Sequence, residues 1–396
     1  MRTCYIAAFG TLLAVRALCQ QVVTRTDAVD AAVGRNARAA MAGADTLAGA
    51  AGLDVARTLQ NPSLAWSYSK DTPHYHVLAS VPLDLPWIRG PRVDAARAMR
   101  DAARDGFAYD EAQLRYDADT AYTRALGARG HARLSGRNAS DADSLLRIAE
   151  IRREAGDASE LDVELARVNA GDLETQAADD SLAALDALLA VQVVMGIQGD
   201  SAQISLGDSL GVPRDTVPSG PASWVAAAAA RLDAAVASVT LARRSAFPAP
   251  SFEIGFDTFD PGVGGQRGLL PTAGFTVPLP LFNHNRAAVA QAEAARDWAA
   301  ADLERVRQGA TAALAQARRA FSLARIRLDH SRALVASAEW VADMSLQAYR
   351  EGAVPLANVL DAELRARDAL GRYIDDLAAA NNGAAALRLL AAGSGE

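Results

Sequence analysis

Apolar and polar positions follow two periods in this chain, and both periods recur in its two halves. Leu64, Trp66 and Tyr68 alternate with Ala65, Ser67 and Ser69, and Tyr75, Val77, Ala79 and Val81 follow in the same step. Further on, Phe252, Ile254 and Phe256 alternate with Ser251, Glu253, Gly255 and Asp257. Phe275, Val277 and Leu279 then alternate with Gly274 and Thr276. Strict period two gives a strand one greasy face and one small or polar face. The pattern predicts four strands in two hairpins, suited either to a soluble sandwich or to a membrane barrel.

The second period is helical. Leu303, Val306, Ala310, Ala313, Ala317, Phe321, Ala324, Leu328, Ser331, Val335, Ala338 and Ala342 recur in steps of three and four, which is a coiled-coil seam. From Arg286 to Glu351 there is no proline, and Gly309 is the only glycine. A helix of that span is a rod of roughly 100 Å. Its first-half counterpart, Pro91 to Ala155, is as long but carries Gly106, Gly127, Gly130 and Gly136. Those glycines predict a kink or bulge near 127–138. Thr26 is placed to cap a helix from Asp27 to about Arg57, and the matching helix starts near Ser223 and ends about Arg244. No apolar stretch after the first twenty residues approaches the ~18 needed for a membrane-spanning helix.

The halves repeat one plan. Val81-Pro82-Leu83 recurs as Val277-Pro278-Leu279, and Glu154-Ala155-Gly156 is answered by Arg350-Glu351-Gly352. Pro62-Ser63-Leu64 is answered by Pro250-Ser251-Phe252, so the halves differ in one loop, Lys70 to Pro73 against Phe259 to Leu270. Each half reads helix, two strands, long helix, reversal, helix.

Composition narrows the classes. Apolar residues are 51% of the 396 but aromatics only 6%, and alanine dominates. Such a chain suits long helices packed through small side chains better than a thick globular core. Forty basic against 47 acidic residues leave −7, which argues against a dedicated nucleic-acid binder. Cys4 and Cys19 are the only cysteines, so the rest of the chain holds no disulfide framework and no thiolate metal site. Residues 1–19 read as a signal peptide, with an apolar run from Tyr5 to Val15 and Ala17-Leu18-Cys19 before a cut ahead of Gln20. Whether Cys19 is lipidated stays open.

At Thr276-Val277-Pro278-Leu279-Pro280-Leu281-Phe282-Asn283, Ala348-Tyr349-Arg350-Glu351-Gly352 and Asn358-Val359-Leu360-Asp361-Ala362 the chain resembles the TolC-type outer-membrane factors. Asn61-Pro62 and the segment from Asp27-Ala28-Val29 to Asn36 share the likeness. Pro280-Leu281-Phe282-Asn283, with Trp87-Ile88-Arg89-Gly90-Pro91-Arg92 at the matching place, looks most like the heavy-metal and cation efflux branch. The resemblance implies a mixed α/β, non-globular chain. Three copies would close a 12-stranded transmembrane β-barrel from four strands each, continued by a long α-helical coiled-coil tunnel in the periplasm. Unpaired strand edges are not tolerated in lipid, so closure by symmetry is also what physics requires. The expected layout puts ascending helices and an equatorial belt at 20–61 and 198–249 and barrel hairpins at 62–83 and 250–281. The long helical hairpins take 84–197 and, with the C-terminal tail, 282–396. The implied role is the exit duct of a tripartite efflux system. Its implied partners are a periplasmic adaptor, an inner-membrane pump of RND type and outer-membrane lipid, with no nucleic acid and no cofactor. A type I protein secretion duct of the same fold is the alternative. A periplasmic coiled-coil adaptor fits less well, because the segments between the helices are single hairpins and not a lipoyl-like domain.

Candidate chemistry gathers at the helical reversals. Gly156 and Gly352 mark the turns, where glycine permits the backbone geometry. Resemblance places Asp361 on the inward face of the tip, where three copies would ring the pore and attract cations. Asn358 stands where the family often has a second acid. Asp162 and Tyr349 match positions that link neighbouring helices and hold the tip closed in the family. The family's linking arginine has no match, since position 354 is valine, and Arg350 is the candidate substitute. His74, His76 and His284 supply at most two metal ligands together and read as ordinary surface histidines. Gly262-Val263-Gly264-Gly265-Gln266-Arg267-Gly268 lacks Lys-Ser/Thr and opens no helix, so it reads as a hairpin loop and not a phosphate loop. No nucleophile–base pair or carboxylate pair emerges, and an enzyme is not expected.

Overall fold

The computed structural model describes residues 21–71, 73–213, 223–247, 249–258 and 269–391. The expected signal segment and the 262–268 loop lie outside the described residues. In chain order the elements are β1 (Gln21–Val23), α1 (Arg25–Arg35), α2 (Ala37–Arg57), β2 (Ser63–Tyr68) and β3 (Tyr75–Pro82). The first long pair follows as α3 (Pro86–Glu154) and α4 (Glu160–Val194), then β4 (Ile204–Leu206) and α5 (Ser223–Arg244). The second half closes with β5 (Ser251–Thr258), β6 (Leu269–Thr276), α6 (Arg286–Arg350) and α7 (Leu356–Ala391).

The chain divides into two compact units, one of Met1–Ala31, Ala118–Gly211 and Leu328–Ala378, the other of Ala32–Asp117, Val212–Arg327 and Ala379–Glu396. The second unit holds one antiparallel sheet in the order β2-β3-β5-β6. Its register sorts the side chains cleanly. Leu64, Ala79, Ile254 and Ala273 form one cross-strand row, and Trp66, Val77, Phe256 and Pro271 the next, all on one face. The opposite face carries the rows Ser63, Ser80, Glu253, Gly274 and Ser67, His76, Asp257, Leu270. Along the apolar face Trp66 stacks with Tyr75, while Tyr68 with Tyr75 and Phe252 with Phe275 form tilted pairs. Cross-strand aromatic pairs of this kind are what fixes register in a sheet.

One expectation about the strands changes. β6 ends at Thr276, so Val277 and Leu279 lie beyond it. Pro278 and Pro280 carry no N–H to donate, which weakens any continuation of the ladder past Thr276. Within β5, Gly255 marks a close approach, because a Cβ there would stand 2.2 Å from the Val77 carbonyl oxygen. Gly255→Val should therefore cost the sheet about 1–3 kcal/mol through overpacking. Reduced recovery of the folded protein from membranes, relative to Gly274→Val at an open position, checks this.

The helices follow the predicted seam. Every one of its positions on α6 is buried or half-buried. α3 runs without interruption from Pro86 to Glu154, through the stretch 127–138 where a kink or bulge was expected. Packing accounts for Gly130, where a Cβ would lie 3.2 Å from Cγ2 of Ile374; a Cβ on Gly127 would make ordinary contact with Ala378 at 3.7 Å, and Gly106 and Gly136 face open space. Small residues there let α7 lie close against α3, and continuous helix hydrogen bonding outweighs the roughly 1 kcal/mol propensity cost of each glycine. The first helical segment is in turn less regular than expected. It begins two residues earlier, where Thr24 and Asp27 exchange backbone and side-chain hydrogen bonds, and it breaks at Asn36, whose side chain accepts from the Arg38 N–H at 2.8 Å. Thr26 lies inside α1.

In the first unit, β1 pairs in parallel with β4, and their apolar residues Val23 and Ile204 pack with Tyr122, Leu126, Val191 and Met195. The Tyr122 hydroxyl donates to the Val23 carbonyl at 2.8 Å. Burial pushes the Tyr122 hydroxyl up to about 12, so it stays a donor throughout the physiological range. Arg25 forms an ion pair with Asp119 beside it.

Candidate pore tip

Both long helical hairpins reverse through the same cap. The Gly156 N–H donates to the Arg153 carbonyl and the Asp157 N–H to the Arg152 carbonyl, while Gly352 and Ala353 donate to Tyr349 and Ala348. Gly156 has φ 83 and Gly352 φ 77. This is the Schellman arrangement, and the left-handed position in it is the reason both reversals carry glycine. The helices that follow start differently. Ser159 caps α4: its hydroxyl accepts from the Asp162 N–H, and the Asp162 carboxylate accepts from the Ser159 N–H at 3.0 Å and hydroxyl at 2.8 Å. α7 starts behind Pro355, with Asn358 N–H donating to the Pro355 carbonyl, and lacks the reciprocal box.

The reversals share one core, in which Leu145 and Ala149 of α3, Val163 and Ala166 of α4, Tyr349 of α6 and Leu356 and Val359 of α7 are buried together. Arg152 bridges it. Its guanidinium lies 4.6 Å from the Tyr349 ring centroid, its Nη1 donates to the Tyr349 carbonyl, and its Nη2 donates to the Asp157 carbonyl at 3.3 Å. Tyr349 is 3% exposed, and among the described residues its hydroxyl has no hydrogen-bond partner. Burial pushes that hydroxyl above its ordinary value; the Arg152 charge opposes the shift, and the Asp162 charge adds to it.

Of the residues singled out from sequence, Tyr349 and Asp162 meet at this core, with the Asp162 carboxylate committed to the helix start. Arg350 does not join them. It lies on the exposed side of α6 and lines a separate groove between α3, α6 and α7. The arginine at the tip is Arg152, which the sequence reading missed. It comes from the other hairpin, 197 positions from its partner, and no periodicity connects the two. Asn358 and Asp361 sit on the exposed face of α7, opposite Val359 and Ala362, which are buried. Asp361 accepts a hydrogen bond from Arg365 Nε at 2.9 Å, one turn on. This exposed pair trims the local negative charge but leaves the carboxylate facing solvent.

In the sheet, the His76 imidazole meets the Asp257 carboxylate at 2.8 Å across the β3–β5 seam, and His74 lies against the Ser69 carbonyl. Among the described residues no three His, Cys, Asp or Glu side chains gather as metal ligands would.

Residues 223–393 match the model of the outer membrane efflux protein family. No curated protein matches the chain. A membrane protein of Pseudomonas aeruginosa is similar in structure, with a TM-score of 0.77 at 21% identity over 93% of each chain. CusC, described for conformational changes accompanying folding and transmembrane channel formation, superposes with a TM-score of 0.75 at 18% identity, over 95% of this chain and 94% of its own. The CmeC outer-membrane channel of Campylobacter jejuni gives 0.74 at 17% identity, over 94% of this chain and 87% of its own. At these identities the likeness is one of fold, and it spans both halves.

Proposed function

We propose that this chain is a member of the outer membrane efflux protein family, whose model matches residues 223–393, and serves as the outer-membrane exit duct of a tripartite efflux system. It would pass small solutes or metal cations to the outside. One observation carries the reading: the four-stranded sheet turns an exposed apolar face outward and a polar face the other way, and leaves β2 and β6 unpaired at its edges. Leu64 is 72% exposed and Ile254 54% on that face, which water would not tolerate over a whole sheet but lipid requires. Three copies would supply twelve strands, pair every edge and close the barrel. A periplasmic adaptor and an inner-membrane pump of the RND class are the partners that fit a duct of this kind. The activity is transport and not catalysis.

Outer-membrane fractionation, with a trimer that survives mild detergent and falls to monomer on boiling, tests this reading. Recovery in the soluble periplasmic fraction would overturn it. At the tip, three copies of Asp361 facing a common axis would concentrate cations at the mouth. Asn358, one turn before, adds no charge to that ring. Asp361→Ala should lower cation over anion selectivity and relieve block by multivalent cations in single-channel recordings, while trimer assembly stays intact. Unchanged selectivity would take Asp361 out of the pore ring.

A further inference from the structure

Near the reversals, α3, α6 and α7 frame a groove of about 560 Å³ whose charged lining is unbalanced. Asp141 faces it from α3, Glu339, Asp343 and Arg350 from α6, and Glu363 and Arg367 from α7. Four carboxylates thus meet two guanidiniums. Only Glu363 and Arg367 form an ion pair with one another, at 3.2 Å; among the described residues the other four have no ion-pair partner. Glu363 is also the most enclosed of the acids, its side chain 18% exposed. Burial raises its carboxyl above the ordinary 4.5, Arg367 opposes that, and the charge of Asp141 across the groove raises it further.

We propose that Glu363 is a protonation-controlled contact between α7 and α3. When neutral it lets α7 settle against α3; when ionised it faces Asp141 as a second negative charge in a confined groove and loosens the two helices. The direction follows from linkage. A carboxyl whose value is raised in the packed state costs that state nothing below the ordinary 4.5. The cost grows as the pH rises above 4.5 and is complete above the raised value. Packing of α7 is therefore tightest in acid and loosens toward neutrality. The contact depends on the groove alone, whatever the chain transports.

Hydrogen–deuterium exchange on the full-length protein in lipid nanodiscs reads this directly. The observable is protection of peptides covering residues 356–370, corrected for the intrinsic pH dependence of amide exchange and referenced to α4. Wild-type protection should rise on going from about pH 8 to about pH 5. Glu363→Gln should hold the high protection at every pH. Asp141→Asn, a change at an exposed position, should keep the transition but move its midpoint to lower pH. Glu363→Gln tracking the wild-type curve, or an unmoved midpoint in Asp141→Asn, would overturn the proposal.

Discussion

Replacing Ile254 with arginine should block insertion of the barrel. Ile254 stands in the centre of β5 on the apolar face, flanked across the strands by Ala79 and Ala273, and is 54% exposed. An arginine on the lipid face near the bilayer midplane costs about 2–4 kcal/mol. If three copies close the barrel as proposed, that cost recurs in every subunit, on the order of 6–12 kcal/mol in all, which is as large as the stability of a typical domain. The neighbouring Glu253 is the internal control. Its carboxylate accepts from the Thr276 hydroxyl at 2.6 Å on the polar face, where an arginine can reach water. Glu253→Arg should insert at close to wild-type yield, losing only that hydrogen bond. Yield of membrane-embedded, heat-modifiable protein separates the two variants. Equal insertion would mean that the faces of the sheet are reversed or that no barrel forms.

That prediction could be written from the alternation of residues 252–257 alone, and the structure supplies the pairing that makes it quantitative. The strands were legible because period two survives only where one face meets a different medium from the other. The long helices were legible because a three–four seam leaves few other folds open. Where the reading failed, it failed at interactions that spacing does not encode. Glycine in α3 read as a site of kinking by propensity, yet Gly130 makes room for Ile374, far along the chain. Thr24 and not Thr26 caps α1, although the three-residue spacing from Thr24 to Asp27 was open to inspection. Val277 and Leu279 continued the alternation on paper, but the prolines between and after them weaken any continuation of the ladder. The tip was half legible: both turn glycines, Tyr349 and Asp162 could be named from sequence, whereas Arg152 and the groove around Glu363 arise only when separate helices are brought side by side.

Arg152→Ala should open the tip more than any other single change there. Its guanidinium spans from the Asp157 carbonyl of the first reversal to the ring and carbonyl of Tyr349 at the second, and so fastens one hairpin to the other. A partly desolvated cation–π contact is worth about 0.5–2 kcal/mol, and a hydrogen bond from a charged donor about 1.5–3 kcal/mol. Arg152 is only partly buried, so about 1–2 kcal/mol is the fair sum after solvent screening. If the fastened hairpins are the resting state, that loss raises the open population roughly 5- to 30-fold. Resting single-channel conductance and its open-time fraction measure it. Arg152→Lys should recover little, because an ammonium keeps the charge but not the planar fork that donates in two directions and lies over the ring. Asp162→Ala should act through a different route. Its carboxylate closes the box with Ser159, so its loss costs about 0.5–2 kcal/mol at the start of α4 and leaves the Arg152 bridge intact. Resting conductance should then rise less than in Arg152→Ala. A larger rise in Asp162→Ala than in Arg152→Ala would move the fastening from the arginine bridge to the acid.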